Sequence, residues 1–154
     1  MSRRIAISGE ILAQDGPLTD EQMAEVRQHA FIGSRLLAGF STRVLKTASM
    51  VARTHHERYD GSGYPDGLAG DAIPSAGRIV AIADVFDSMT SSRPHRPPHS
   101  IDDAFEYIEN GRGKAFDGTL VDGFLSERAE VLRIWEKYSD EGPPVDITIG
   151  PESR

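Results

Sequence analysis

The sequence predicts an all-α fold, and three observations carry that reading. Apolar residues recur at three- and four-residue spacing through most of the chain. Capping residues stand where those stretches begin, and Gly- and Pro-rich breaks separate them.

A short apolar entry runs from Ile5 to Leu12 and is broken by Asp15-Gly16-Pro17. Thr19 then offers a cap, Gln22 follows three residues later, and Asp20 and Glu21 favour the positive end of a helix. Met23, Val26, Ala30, Leu37 and Phe40 continue at helical spacing, with His29 at the border of that stripe. A second helix is expected from Thr42 to about Arg58, with Val44, Leu45, Ala48, Val51 and Ala52 as its apolar arc. Carried on by one turn, that arc reaches His55 and His56. Both histidines therefore fall where the pattern calls for buried residues.

Residues 61–74 are rich in glycine and proline and read as a loop. Ser75 can cap a helix over Ala76–Met89, where Arg78-Ile79-Val80-Ala81-Ile82-Ala83-Asp84-Val85-Phe86 is apolar on nearly every side. The same run would suit a buried strand, and periodicity does not decide. A helix is preferred because it gathers Asp84, Asp87 and Ser88 on one face. An unpaired carboxylate buried at Asp84 would be costly, so that position asks for a cation. Ser91–Ser100 is a basic, proline-rich loop, and helices follow over Ile101–Asn110 and Gly118–Tyr138. Leu120, Val121, Phe124, Leu125, Val131, Leu132 and Trp135 form the apolar side of the last one. One domain is expected over residues 1–140, followed by a loosely held tail at 141–154.

The chain has 154 residues and a formal charge of −7. That balance argues against binding duplex nucleic acid, though a local basic pocket or a metal could still hold a small anion. There is no cysteine, which excludes thiolate zinc sites, disulfides and cysteine nucleophiles. No apolar run matches a signal peptide or a membrane span, so a cytoplasmic protein is expected.

His29, His55, His56 and Asp84 fall on three separate expected helices. Neutral imidazoles and a carboxylate suit iron, manganese or zinc. Taken alone, His29 would read as a satisfied core histidine; the adjacent pair and an inward acid tip the balance toward a metal. Arg93 and Arg96 flank Pro94 and could grip phosphate as a fork, or form no more than a solvated basic loop. Gly61-Ser62-Gly63-Tyr64-Pro65-Asp66-Gly67 lacks the Gly-Lys-Ser/Thr of a P-loop, and turn chemistry accounts for its glycines. No Gly-x-Ser-x-Gly elbow is present, against serine hydrolase chemistry.

His55-His56-Glu57-Arg58, Asp60-Gly61, Gly63-Tyr64-Pro65, Ile82-Ala83-Asp84-Val85-Phe86-Asp87 and Arg93-Pro94 together resemble the signature of HD-GYP domains, a branch of the HD phosphohydrolases. The resemblance runs from about Ile5 to Phe124. It implies a helical bundle of the HD/PDEase-like type and hydrolysis of cyclic di-GMP at a cluster of divalent ions, iron or manganese. It further implies metal ligation by His29, His55, His56 and Asp84, and substrate contacts from Gly63, Tyr64, Pro65, Arg93 and Arg96. The Gly63-Tyr64-Pro65 loop is implicated in contacts with diguanylate cyclase domains. His95 stands where a tyrosine is common.

The family's His-Asp dyad would precede Ile5, and no His-Asp dipeptide occurs in this sequence. The chain is therefore expected to be a bundle lacking its first helices, slow or inactive as a phosphodiesterase, with uncovered apolar faces that favour self-association or a partner. Two other readings stand beside this one: a non-catalytic binding or interaction module of cyclic di-GMP signalling, and a phosphohydrolase of another nucleotide.

Overall fold

The computed structural model describes residues 9–12, 16–92 and 98–138. Those residues form seven α-helices and one 3-10 turn: α1 Gly9–Leu12, α2 Asp20–Leu37, α3 Arg43–Thr54, the 3-10 turn Gly70–Ala72, α4 Ser75–Thr90, α5 Ile101–Asn110, α6 Gly118–Ser126 and α7 Arg128–Tyr138. No strand occurs among them; Asp60–Ala69 and Arg112–Phe116 make isolated bridges. The all-α expectation holds. The entry segment before Gly9, the Arg93–Pro97 stretch with both candidate arginines, and the tail at 141–154 lie outside the described residues.

Local chemistry sets the helix starts. Thr19 and Gln22 make the reciprocal capping box read from the sequence, with Thr19 N donating to Gln22 Oε1 at 2.9 Å and Gln22 N to Thr19 Oγ1 at 3.2 Å. Ser100 and Asp103 make a second box at the head of α5. Thr42 caps α3, and Asp117 caps α6 by accepting from Thr119 N at 2.9 Å.

Three boundaries depart from expectation. Pro74 rather than Ser75 is the N-cap of α4, and it makes no side-chain cap bond. The expected Gly118–Tyr138 helix is split at Glu127, whose φ of −96° and ψ of 21° are not helical. The helix expected to reach Arg58 ends at Thr54, with His55 as its C-cap. Beyond it Tyr59 N and Asp60 N donate to the carbonyls of Ala115 and Lys114, at 3.2 and 2.8 Å. Bonds to a distant turn thus replace the next helical ones.

The core lies among α4, α5, α6 and α7, where Ile82, Phe86, Phe105, Ile108, Phe116 and Val121 are buried together. Phe86, Phe105 and Phe124 form an aromatic triangle with ring centroids 5.2 to 5.5 Å apart. Leu120, Leu125, Val131, Leu132 and Trp135 pack against it, as the sequence pattern requires. The α2–α3 hairpin docks on α4 through α3.

Burial on every side of α4 is not observed. Ile79, Ala83, Asp84 and Asp87 are exposed, so the Asp84 carboxylate is not the desolvated charge expected from the apolar run. The arcs of α2 and α3 are also partly uncovered: Met23, Phe40 and Val44 are exposed, Val44 at 75%. The reason is common to all three. Residues spaced to face a neighbour have none on that side among the described residues.

The α3–α4 crossing fixes where α3 ends. Buried Gly77 of α4 rides against Thr54, the last residue of α3; a Cβ added there would stand 2.2 Å from Thr54 Oγ1 and 2.9 Å from Thr54 Cβ. Gly77→Ala therefore forces the helices apart next to His55. Urea unfolding is expected to show a loss of about 1–3 kcal/mol; an unchanged midpoint would mean the crossing is loose.

Candidate metal centre

Three elements bring three imidazoles together. His29 projects from the middle of α2, His55 caps α3, and His56 follows it as the chain turns. One ligand atom from each lies within 4.8 Å of the other two. Ring centroids are 5.2 Å apart for His29–His55, 4.8 Å for His29–His56 and 4.0 Å for His55–His56. All three are partly buried.

Backbone carbonyls set the protonation of two of these rings. His29 Nδ1 donates to the Val26 carbonyl at 2.7 Å. His55 Nδ1 donates to the carbonyls of Val51 and Ala52, at 3.1 and 3.0 Å. A carbonyl only accepts, so Nδ1 carries the proton in both rings, and Nε2 is the atom left to offer a lone pair when a ring is uncharged. The two Nε2 atoms face each other at 3.2 Å. Two lone pairs at that distance repel unless a proton or a metal ion lies between them. Nitrogens bound to one ion at about 2.1 Å, at angles of roughly 90° to 109°, sit about 3.0–3.4 Å apart. The observed spacing falls inside that window, and the Nδ1–carbonyl bonds are the outer contacts that usually orient metal-bound histidines. The donor set fits a divalent ion.

Burial, then the neighbouring His55 and His29, push the His56 imidazole down to about 4, with Asp84 acting in the opposite sense. His56 is thus neutral near pH 7, as a ligand must be. Asp84 does not join the three-histidine group, yet its charge reaches both His56 and Tyr64.

The loop after the histidines is held by three sets of contacts. Gly63 lies so close to the preceding segment that a Cβ would stand 2.3 Å from Arg58 N and 2.6 Å from Glu57 Cα. Only glycine fits, and Tyr64 N then donates to the His56 carbonyl at 3.2 Å. Glu57 is 3% exposed, and its carboxylate accepts from Asp66 N at 2.7 Å and Leu68 N at 3.0 Å. Arg53 adds a bidentate pair to Asp66 at 2.7 and 2.6 Å. So latched, Tyr64 stacks on His56 with ring centroids 4.8 Å apart and planes 29° from parallel. The Tyr64–Pro65 peptide is cis. Burial pushes the Tyr64 phenol up, and the nearby Arg27 opposes it.

The sequence reading gave Glu57 no role. An acid directly after two inward histidines, followed by a glycine-rich loop whose amides need partners, was the available signal.

The HD domain family model matches residues 5–120. The chain belongs to the HD domain family. It is 44% identical over 136 residues to the cyclic di-GMP phosphodiesterase response regulator RpfG of Xanthomonas campestris, covering 88% of this chain and 36% of that protein. It is 41% identical over 138 residues to a cyclic di-GMP phosphodiesterase of Thermotoga maritima, covering 90% and 38%. A 3'3'-cGAMP-specific phosphodiesterase of Vibrio cholerae is 37% identical over 137 residues, covering 89% and 26%. This HD domain thus spans roughly a third of the length of these relatives. A crystal structure of a cyclic GMP-AMP-specific phosphodiesterase of Vibrio cholerae superposes with a TM-score of 0.59 at 22% identity, over 80% of this chain and 28% of that one. That likeness supports the helical HD architecture. No helix among the described residues is long and apolar enough to cross a membrane.

Removing the Glu57 carboxylate strands two loop amides. Glu57→Ala is expected to cost about 1–3 kcal/mol and to speed hydrogen exchange at Asp66 and Leu68 selectively. Unchanged exchange at those amides would show that the latch does not hold the loop.

Proposed function

We propose that this domain is a metal-dependent phosphodiesterase of cyclic dinucleotides, with cyclic di-GMP as substrate. The observation that carries this reading is the pair of bare Nε2 atoms of His29 and His55, 3.2 Å apart. The names of the relatives supply the substrate class.

His29, His55 and His56 would hold the ion, iron or manganese, with Asp84 as a further carboxylate near it. When bound, the ion polarises a phosphoryl oxygen and acidifies a water. The chain's own residues do the rest. The two Nδ1–carbonyl bonds aim the imidazoles, and the latched loop places Gly63, Tyr64 and Pro65 beside them. Arg93 and Arg96 are proposed to meet the substrate phosphates. The same loop is the surface proposed for diguanylate cyclase domains, in a cytoplasmic setting.

Turnover by this chain is proposed to be slow. Among the described residues no carboxylate belongs to the histidine group, so no acid there would help to hold a second ion. The exposed position of Asp84 favours a second reading, a module that binds cyclic di-GMP without cleaving it. Leu36, Phe40 and Val44 are exposed apolar side chains that self-association would cover.

Hydrolysis of cyclic di-GMP by the purified chain, followed by chromatography with added manganese, tests the proposal. Slow turnover is expected, abolished by chelator and by His55→Ala, from a sample that light scattering shows to be larger than a monomer. Binding without turnover would select the module, and turnover that survives chelation would overturn the metal site.

A further inference from the structure

Arg27 stands at the edge of the histidine cluster with a charge that no neighbour takes up. Its guanidinium carbon lies 5.2 Å from the centre of the Tyr64 ring, and that ring stacks on His56. The side chain is exposed, and no carboxylate of the described residues forms an ion pair with it. Nearby arginines are committed elsewhere. Arg53 pairs with Asp66 at 2.6 Å, Arg58 with Asp60 at 3.6 Å, and Arg78 with Asp117 at 2.6 Å. Each of those pairs fixes backbone or loop; Arg27 fixes neither.

A guanidinium lying over an aromatic face keeps its N–H edges free. The ring attracts the charge without using the N–H donors, which remain available as a fork that matches two oxygens of a phosphate. The cation–ring attraction also favours keeping the side chain near Tyr64, so less freedom is lost when an anion binds. The need for such a group is plain from the charge of the chain. A protein carrying −7 repels a substrate with two phosphodiester charges unless cations are placed where it binds.

From this placement we infer that Arg27 is a substrate-binding residue, which takes a non-bridging phosphodiester oxygen of a cyclic dinucleotide seated against Tyr64 and the histidine cluster. This rests on the phosphodiesterase reading above and adds to it a binding group on α2, outside the loop and the segment carrying Arg93 and Arg96. Tyr64 then has neighbours with different work: the rings of His29 and His56 from the histidine cluster, and Arg27 for the substrate. The contact is electrostatic and accessible to solvent, so it weakens as salt rises.

Calorimetric titration of cyclic di-GMP into the manganese-loaded full chain tests the inference, with wild type, Arg27→Gln and Arg27→Lys compared at low and moderate sodium chloride. Arg27→Gln is expected to weaken binding by about ten- to a hundred-fold and to flatten its salt dependence. Arg27→Lys keeps the charge without the fork and should fall between. Manganese affinity and melting temperature should be unchanged in both variants. If wild type binds and Arg27→Gln binds equally well with the same salt dependence, Arg27 does not touch the phosphate and the inference fails. A loss in Arg27→Gln with unaltered salt dependence would assign Arg27 a purely structural role, and also overturns it. No binding by wild type would instead sink the cyclic dinucleotide reading on which it stands.

Discussion

Three backbone carbonyls decide what this domain can do. By accepting from the Nδ1 atoms of His29 and His55, the carbonyls of Val26, Val51 and Ala52 force both protons to the far side of their rings. What remains is a pair of lone pairs aimed at each other across 3.2 Å, in an environment too dry for His56 to take up charge near neutral pH. Such a contact is unfavourable as it stands and favourable around a cation. The carbonyls belong to residues three or four positions before each histidine, so the helices supply this outer layer of the site from their own backbones.

Helix α3 matters for the same reason. It ends at Thr54, against Gly77, and its capping position is His55. Ending there lets the chain fold back, with Gly63 lying on the segment 56–58 and Glu57 holding the loop amides. The carboxylate of Glu57 and the missing side chain of Gly63 thus serve one purpose. They bring Tyr64 onto His56 without placing any acid inside the histidine cluster.

Much of this was legible in the amino-acid sequence. Helical spacing located α2 and α3, the face shared by Asp84, Asp87 and Ser88 favoured a helix at α4 where periodicity was silent, the Thr19–Gln22 box marked the start of α2, and the phase of α3 carried its apolar arc onto the paired histidines. The apolar side of α6 and α7 was also read correctly from Leu120 to Trp135. Two features were not legible, and both depend on long-range contacts. The end of α3 is set by Gly77 and by amide bonds to Ala115 and Lys114, which no local pattern reveals. The exposure of Asp84 follows from which side of α4 meets α3, α5 and α6. A helix that is apolar all round carries no phase to show that.

The site depends on His29 and His55 being held as Nδ1–H tautomers with converging Nε2 lone pairs. Nitrogen-15 spectroscopy of the imidazoles in the metal-free protein, followed by titration with zinc as a diamagnetic probe, tests it most directly. The account expects unprotonated Nε2 in both rings, and simultaneous shifts of both Nε2 signals with the first equivalent of metal. An Nε2–H tautomer in either ring, or Nε2 signals indifferent to zinc, would contradict it.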